Sequence, residues 1–165
     1  MTPEIVWGSA RDERRLLDAE TVPARHPVRL FHEYYLSRRE RDGYLDRKAL
    51  DPAELVTLLP WVQILEEMED GSFNHRLIGT AVTDLVGLDN TGKPFGYGIS
   101  DDFKELRLEE FQAAFRTGDP VFSRSSLMQD DRSFITVIRG VFPGKAGRRR
   151  LVYMPLAAEE KRLYE

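Results

Sequence analysis

His75 is the residue whose type and setting most invite chemistry. It lies in Phe73-Asn74-His75-Arg76-Leu77-Ile78, where alternation predicts a strand with Phe73, His75 and Leu77 on one face and Asn74, Arg76 and Ile78 on the other. An imidazole turned into an apolar crevice could contact a ligand or titrate near neutral pH. A structural or exposed histidine is the plainer reading of the same position. Arg76 could meet an anionic ligand, but pairing with a nearby carboxylate at the strand–helix junction is the preferred reading.

The other candidates are weaker. Asp84, Asp89, Asp101 and Asp102 lie near glycine-rich loops, and paired carboxylates can serve acid–base or metal chemistry. Asp101 and Asp102, however, follow Ser100 at a helix start, where negative charge suits the helix dipole. Ser123, Ser125 and Ser126 lack the Gly-x-Ser-x-Gly elbow of a nucleophile, and the three histidines suggest no triad. Gly92, Gly96 and Gly98 are not followed by Gly-Lys-Ser/Thr, so they read as turns rather than a phosphate loop. Two basic runs, Arg38-Arg39-Glu40-Arg41 and Arg148-Arg149-Arg150, read as solvated faces.

Composition narrows the classes. The chain has 165 residues, 41% hydrophobic and 32% charged, enough for one globular domain with a real core. A net charge of -4 and a pI near 5.5 argue against general attraction to nucleic acid or anionic membrane. With no cysteine, disulfides, thiolate metal sites, a cysteine nucleophile and a flavin–cysteine photoadduct are excluded. No terminal apolar run suits a signal peptide or a membrane span, so a cytoplasmic protein is expected.

The elements that must position these residues follow from periodicity. Helices are predicted over residues 9–20, with Ser9 as cap, and over 27–41, with Pro27 in the first turn. Val28, Phe31 and Tyr35 share one side of the second. Asp51-Pro52-Ala53-Glu54 starts a short helix that Pro60 ends. Strands at 61–67 and 73–78 flank the Asp70-Gly71 turn. A helical segment, 79–87, precedes a helix over 101–117 capped by Ser100, with Phe103, Leu106, Phe111, Ala114 and Phe115 as its buried stripe. Strands at 120–128, 133–142 and 150–156 close the chain. An antiparallel five-stranded sheet with the middle helices on one face leaves a crevice of the kind small ligands favour. The N-terminal helices can cover the other face or pair with a second copy.

These residues resemble the PAS family. Its strand-to-helix junction, small residues followed by leucine-x-glycine and then glycine with a basic residue, is matched by Gly79-Thr80-Ala81-Val82-Thr83-Asp84-Leu85-Val86-Gly87 and Thr91-Gly92-Lys93. Gly79 stands where asparagine is usual. A narrower likeness is to short stand-alone bacterial PAS proteins. It rests on Leu45-Asp46-Arg47, Leu50-Asp51-Pro52-Ala53-Glu54-Leu55, Leu58-Leu59-Pro60, Arg76-Leu77-Ile78-Gly79-Thr80, Asp89-Asn90-Thr91-Gly92-Lys93 and Met154-Pro155-Leu156-Ala157, across residues 28–157. In that family a further strand follows proline-leucine, whereas here only seven residues follow Ala158, so Phe134 to Phe142 reads as extra and the sheet edge as shortened.

The resemblance implies an α+β PAS-like domain over 45–165, preceded by an N-terminal helical extension over 1–44. It implies a non-enzymatic sensory module whose crevice, lined by Phe73, His75, Leu77, Leu85, Phe103 and Phe111, binds a small ligand. Haem-binding PAS domains usually ligate through a histidine in the helical middle; none lies within 79–117, so haem is not expected and the cofactor stays unassigned. A signalling protein partner and a homodimer through the N-terminal helices are expected, and nucleic acid and membrane are not. Two alternatives stay open: a small cone-shaped isomerase or dehydratase using His75 with a carboxylate, and a ligand-free adaptor.

Overall fold

Runs rich in valine, isoleucine and aromatics, punctuated by turn residues, form the framework of the computed structural model, which describes residues 14–87, 89–96, 100–128 and 134–164. In chain order the strands are β1 (Arg15–Leu17), β2 (Leu45–Asp46), β3 (Val62–Glu67), β4 (Phe73–Ile78), β5 (Val121–Met128), β6 (Phe134–Ala146) and β7 (Arg149–Ala158). The helices are α1 (Pro27–Arg38), α2 (Pro52–Leu55), α3 (Thr80–Val86) and α4 (Asp101–Thr117). The sheet order is β1-β5-β6-β7-β3-β4, with β2 alongside β6. All pairings are antiparallel except the two-residue contact of β2 with β6.

Three expectations change. Of the helix expected over 9–20, residues 9–13 lie outside the described residues; Arg15–Leu17 forms β1 and Ala19–Thr21 a 3-10 turn. The thin apolar stripe there gives a helix little to bury, while the free edge of β5 offers a ladder, with Leu16 opposite Ser123. Residues 134–142 are not extra. They belong to the longest strand, which pairs with β5 on one side and β7 on the other. Met154-Pro155-Leu156 lies in β7, between β6 and β3, so no later strand is needed. Ser100 occupies the cap position of α4 without a side-chain hydrogen bond, and the dipole is met by Asp101 and Asp102.

Helices do not cover one face alone. From Leu151 to Ala157 every residue of β7 is buried, so apolar side chains point to both sides of the sheet. On one side, the outer face, Val28, Phe31 and Tyr35 of α1 pack against Phe122, Ile138, Phe142, Leu151 and Tyr153. Phe31 and Phe142 meet edge to face at 4.9 Å. On the inner face α4 lays Phe111, Ala114 and Phe115 over Leu65, Phe73, Val141, Val152 and Met154. Further along, Val82 and Leu85 of α3 meet Ile78, Val137 and Leu156. Of the two roles open to the N-terminal helices, α1 takes the first and covers the sheet's other face with this stripe.

One junction ties the two layers. The Tyr35 hydroxyl lies 2.5 Å from the Gly43 carbonyl oxygen and 3.0 Å from that of Gly118, the C-cap of α4. A Cβ on Gly43 would stand 1.9 Å from the Gly118 carbonyl oxygen, and both glycines have positive φ, so neither position admits another residue without movement.

His26 begins α1. Its Nδ1 accepts from the Val28 N–H at 3.1 Å, and its Nε2 lies 3.0 Å from the Ala158 carbonyl oxygen. Accepting at Nδ1 leaves the proton on Nε2, which donates to that carbonyl. Burial therefore holds the neutral form and pushes the pKa from 6.5 down to about 4. In that window the unfolded chain binds a proton that the folded chain refuses. Stability is full above the ordinary value and falls as pH drops toward about 4, by about 3 kcal/mol from this one group. His32 and His75 are lowered by burial too and act in the same direction. We expect urea unfolding of His26→Asn, which retains a capping acceptor, to show a shallower loss of stability between pH 6.5 and 4 than the wild type. Equal slopes would count against the buried neutral imidazole.

Candidate functional site

The strand β4, the helix α4 and the loop before it bring an aromatic group together on the inner face. Phe73 and Phe111 are buried with ring centroids 5.2 Å apart, Phe95 lies 5.2 Å from Phe111, and His75 lies 5.7 Å from Phe95. Phe95 is held there because its N–H donates to the Phe73 carbonyl at 2.7 Å, while the His75 N–H donates to Lys93 at 2.9 Å and the Gly92 N–H to His75 at 2.7 Å. The residues around 92–95 thus run along the open edge of β4.

Of the six residues expected to line the crevice, Phe73, His75 and Phe111 meet here. Leu85 is half-buried in the neighbouring cluster around Val82 and Leu156. Phe103 is half-buried in the first turn of α4. Leu77 is elsewhere. The β3–β4 register shifts between Ile64 and Leu65: Leu65 faces His75 and Ile64 faces Leu77, so Arg76 is an extra residue. That bulge reverses the alternation after His75 and turns Leu77 to the outer face beside Ile64, where it is 39% exposed. Ile78 is turned inward for the same reason. Arg76 remains outside and pairs with Glu66 at 3.0 Å, the structural role preferred from its sequence position.

His75 is 6% exposed, and its Nδ1 has no hydrogen-bond partner among the described residues. Burial lowers its pKa, and among the described residues no carboxylate contributes. The group therefore presents a neutral ring edge in an apolar setting rather than one half of an acid–base pair.

Sequence reasoning missed a buried ionic group. Arg107 donates to Glu110 at 2.6 Å, and Arg14 reaches the other carboxylate oxygen at 3.1 Å. The Arg107 and Glu110 side chains are 6% and 2% exposed. Their spacing held the signal, since 103, 107, 110 and 114 follow one helical stripe. Gln63, Ser123 and Ser125 are buried as well, and Arg139 lies 3.4 Å from the Ser125 hydroxyl.

Carboxylates answer most of the basic runs. Arg38 pairs with Glu54, Arg39 with Asp119 at 3.4 Å and Arg149 with Glu66 at 2.8 Å. Arg150 grips Glu67 through two nitrogens and lies 4.2 Å from the centre of the Phe115 ring. Among the described residues no group of three acidic or histidine side chains is placed to hold a metal ion, and no helix is long and apolar enough to cross a membrane.

Residues 24–118 match the family model described as PAS domain. Among solved structures, an RNA-binding Light-Oxygen-Voltage receptor aligns with a TM-score of 0.43 and 15% identity, covering 68% of this chain and 34% of that one. The chain thus spans about a third of that receptor's length. No curated protein matches the chain.

Glu110 holds two guanidiniums, one of them deeply buried. Glu110→Gln should lower stability in urea by about 3 kcal/mol, because Arg107 then keeps its charge without a counter-charge. Replacing the pair together, Arg107→Met with Glu110→Leu, should cost less than Glu110→Gln alone. The reverse ranking would show that the charges matter less than the packing.

Proposed function

This chain belongs to the PAS domain family, and we propose that it is a non-enzymatic sensory module that takes a small, largely apolar ligand between the inner sheet face and helices α3 and α4. The observation that carries this reading is His75. A buried polar atom without a partner costs free energy unless something meets it. Nδ1 of His75 is such an atom among the described residues, beside the Phe95 ring. A ligand donating one hydrogen bond to the neutral ring would satisfy it, and the surrounding rings would provide apolar contact. Ligand binding can shift the module between states only if its affinity for them differs.

A second reading is favoured by the ring packing. Phe73, Phe95 and Phe111 meet at van der Waals distance, as they would in an adaptor whose crevice is filled by its own side chains. The isomerase or dehydratase reading calls for a carboxylate at His75 and gains no support from a shift caused by burial alone. For the protein partner we propose a second copy bound through what α1 leaves exposed, centred on Leu36, which is 48% exposed.

Native mass spectrometry of freshly purified protein tests the sensor against the adaptor. We expect a bound small molecule in the wild type that is absent from His75→Leu, with the far-ultraviolet circular dichroism unchanged. Bare protein in both samples would favour the adaptor. For the dimer, light scattering should report twice the chain mass for the wild type and a single chain for Leu36→Glu. A monomeric wild type, or a mass insensitive to the substitution, would remove that partner.

A further inference from the structure

The outer face is not wholly covered. Helix α1 packs over β5, β6 and β7, and beyond it an open cleft of about 570 Å³ lies over β3 and β4. Its size falls within the range of small-molecule sites. Ile64 and Leu77 give it an apolar floor and Met68 an apolar wall, with Asn74, His75, Arg76 and Arg47 as polar lining. Leu77 is at this floor only because of the bulge at Arg76.

The charge in the cleft is unbalanced. Among the described residues Glu66 is its one carboxylate, and it already answers two guanidiniums, Arg76 at 3.0 Å and Arg149 at 2.8 Å. Burial opposes ionisation of Glu66, but the hydrogen bonds from Arg149 and Arg76 outweigh it and hold its carboxyl below the usual range. Arg47 comes from the turn after β2, and its guanidinium makes no ion pair among the described residues. Asp89, the nearest loop carboxylate in sequence to the Thr91 rim, turns back to accept from the Thr91 N–H and hydroxyl. One guanidinium is therefore left in excess at Glu66, and Arg47 adds another.

We propose that this outer cleft binds a small amphipathic monocarboxylate, its apolar chain on Ile64 and Leu77 and its carboxylate between Arg47 and Arg76. Its apolar floor lies across the sheet from the inner aromatic group, and His75 of the edge strand β4 borders both. A guanidinium matches a carboxylate with two parallel hydrogen bonds, and the half-open apolar floor suits a chain that keeps one side in water. A bare anion would leave the floor unused, and a neutral chain would leave Arg47 unanswered.

Isothermal titration of the full chain with sodium octanoate, octan-1-ol and inorganic phosphate tests this. Octanoate should bind, and both comparators should bind at least about tenfold more weakly. Arg47→Ala and Leu77→Glu, both at exposed positions, should each weaken octanoate at least about tenfold with unchanged thermal unfolding. Leu85→Ala, on the inner face, should leave octanoate binding unchanged. No octanoate binding up to its solubility limit would overturn the proposal. So would binding indifferent to Arg47→Ala and Leu77→Glu, binding lost only in Leu85→Ala, or phosphate binding as tightly as octanoate.

Discussion

The sheet of this protein has no face that can be left to water. Strand β7 buries its residues from Leu151 to Ala157 on both sides, so an outer cover and an inner cover must both be present for the core to be dry. Helix α1 supplies the outer cover and α4 the main inner one. They are far apart in the chain, and the contact of Tyr35 with the carbonyls of Gly43 and Gly118 fixes the end of one against the end of the other. The two glycines approach closely enough that a methyl group on either would collide with backbone. Helix α1 is thus bound into the core, and its stripe forms part of the outer hydrophobic cluster.

The polar groups buried inside this frame differ in how they are satisfied. Arg107, Glu110 and Arg14 form an ionic group whose carboxylate is shared by two guanidiniums. His26 is satisfied at both ring nitrogens and closes α1 onto the end of β7. His75 has an unmet nitrogen among the described residues. Deep burial lowers the pKa of both these histidines, yet one is a completed joint and the other is poised to meet a partner. That contrast, more than burial, is what the proposed inner-face ligand site rests on.

A single extra residue organises the other side of the sheet. The bulge at Arg76 sends Leu77 outward and Ile78 inward, and it lets Arg76 reach Glu66 across the strand pair. The same step gives the inner cluster its Ile78 and the outer cleft its apolar floor. Arg149, from the hairpin of β6 and β7, reaches the same carboxylate, so a basic run that reads as solvated becomes part of the cleft's electrostatics.

Local sequence determined the elements wherever the signal was itself local. Periodicity located α1, α3, α4 and all five long strands, because a repeat near 3.6 or 2 reports directly on which side of an element meets a core. The helix start at Asp51-Pro52-Ala53-Glu54 was legible from its cap and proline. The linked motifs around Arg76-Leu77-Ile78-Gly79-Thr80 carried the family. What depended on distant partners was not legible. Whether Arg15–Leu17 coils or pairs was settled by the free edge of β5, more than a hundred residues away. Which face Leu77 takes was settled by the register between two strands, and one residue of slip reverses it. That Glu110 would bind Arg14 across 96 residues, or Arg149 bind Glu66 across 83, follows only once the chain has brought them together. The sequence alone therefore determined the kind of domain and the stripe on each element. Only the tertiary structure decided which charges are answered, which nitrogen is left unmet and which leucine faces out, because each depends on atoms that local periodicity does not encode.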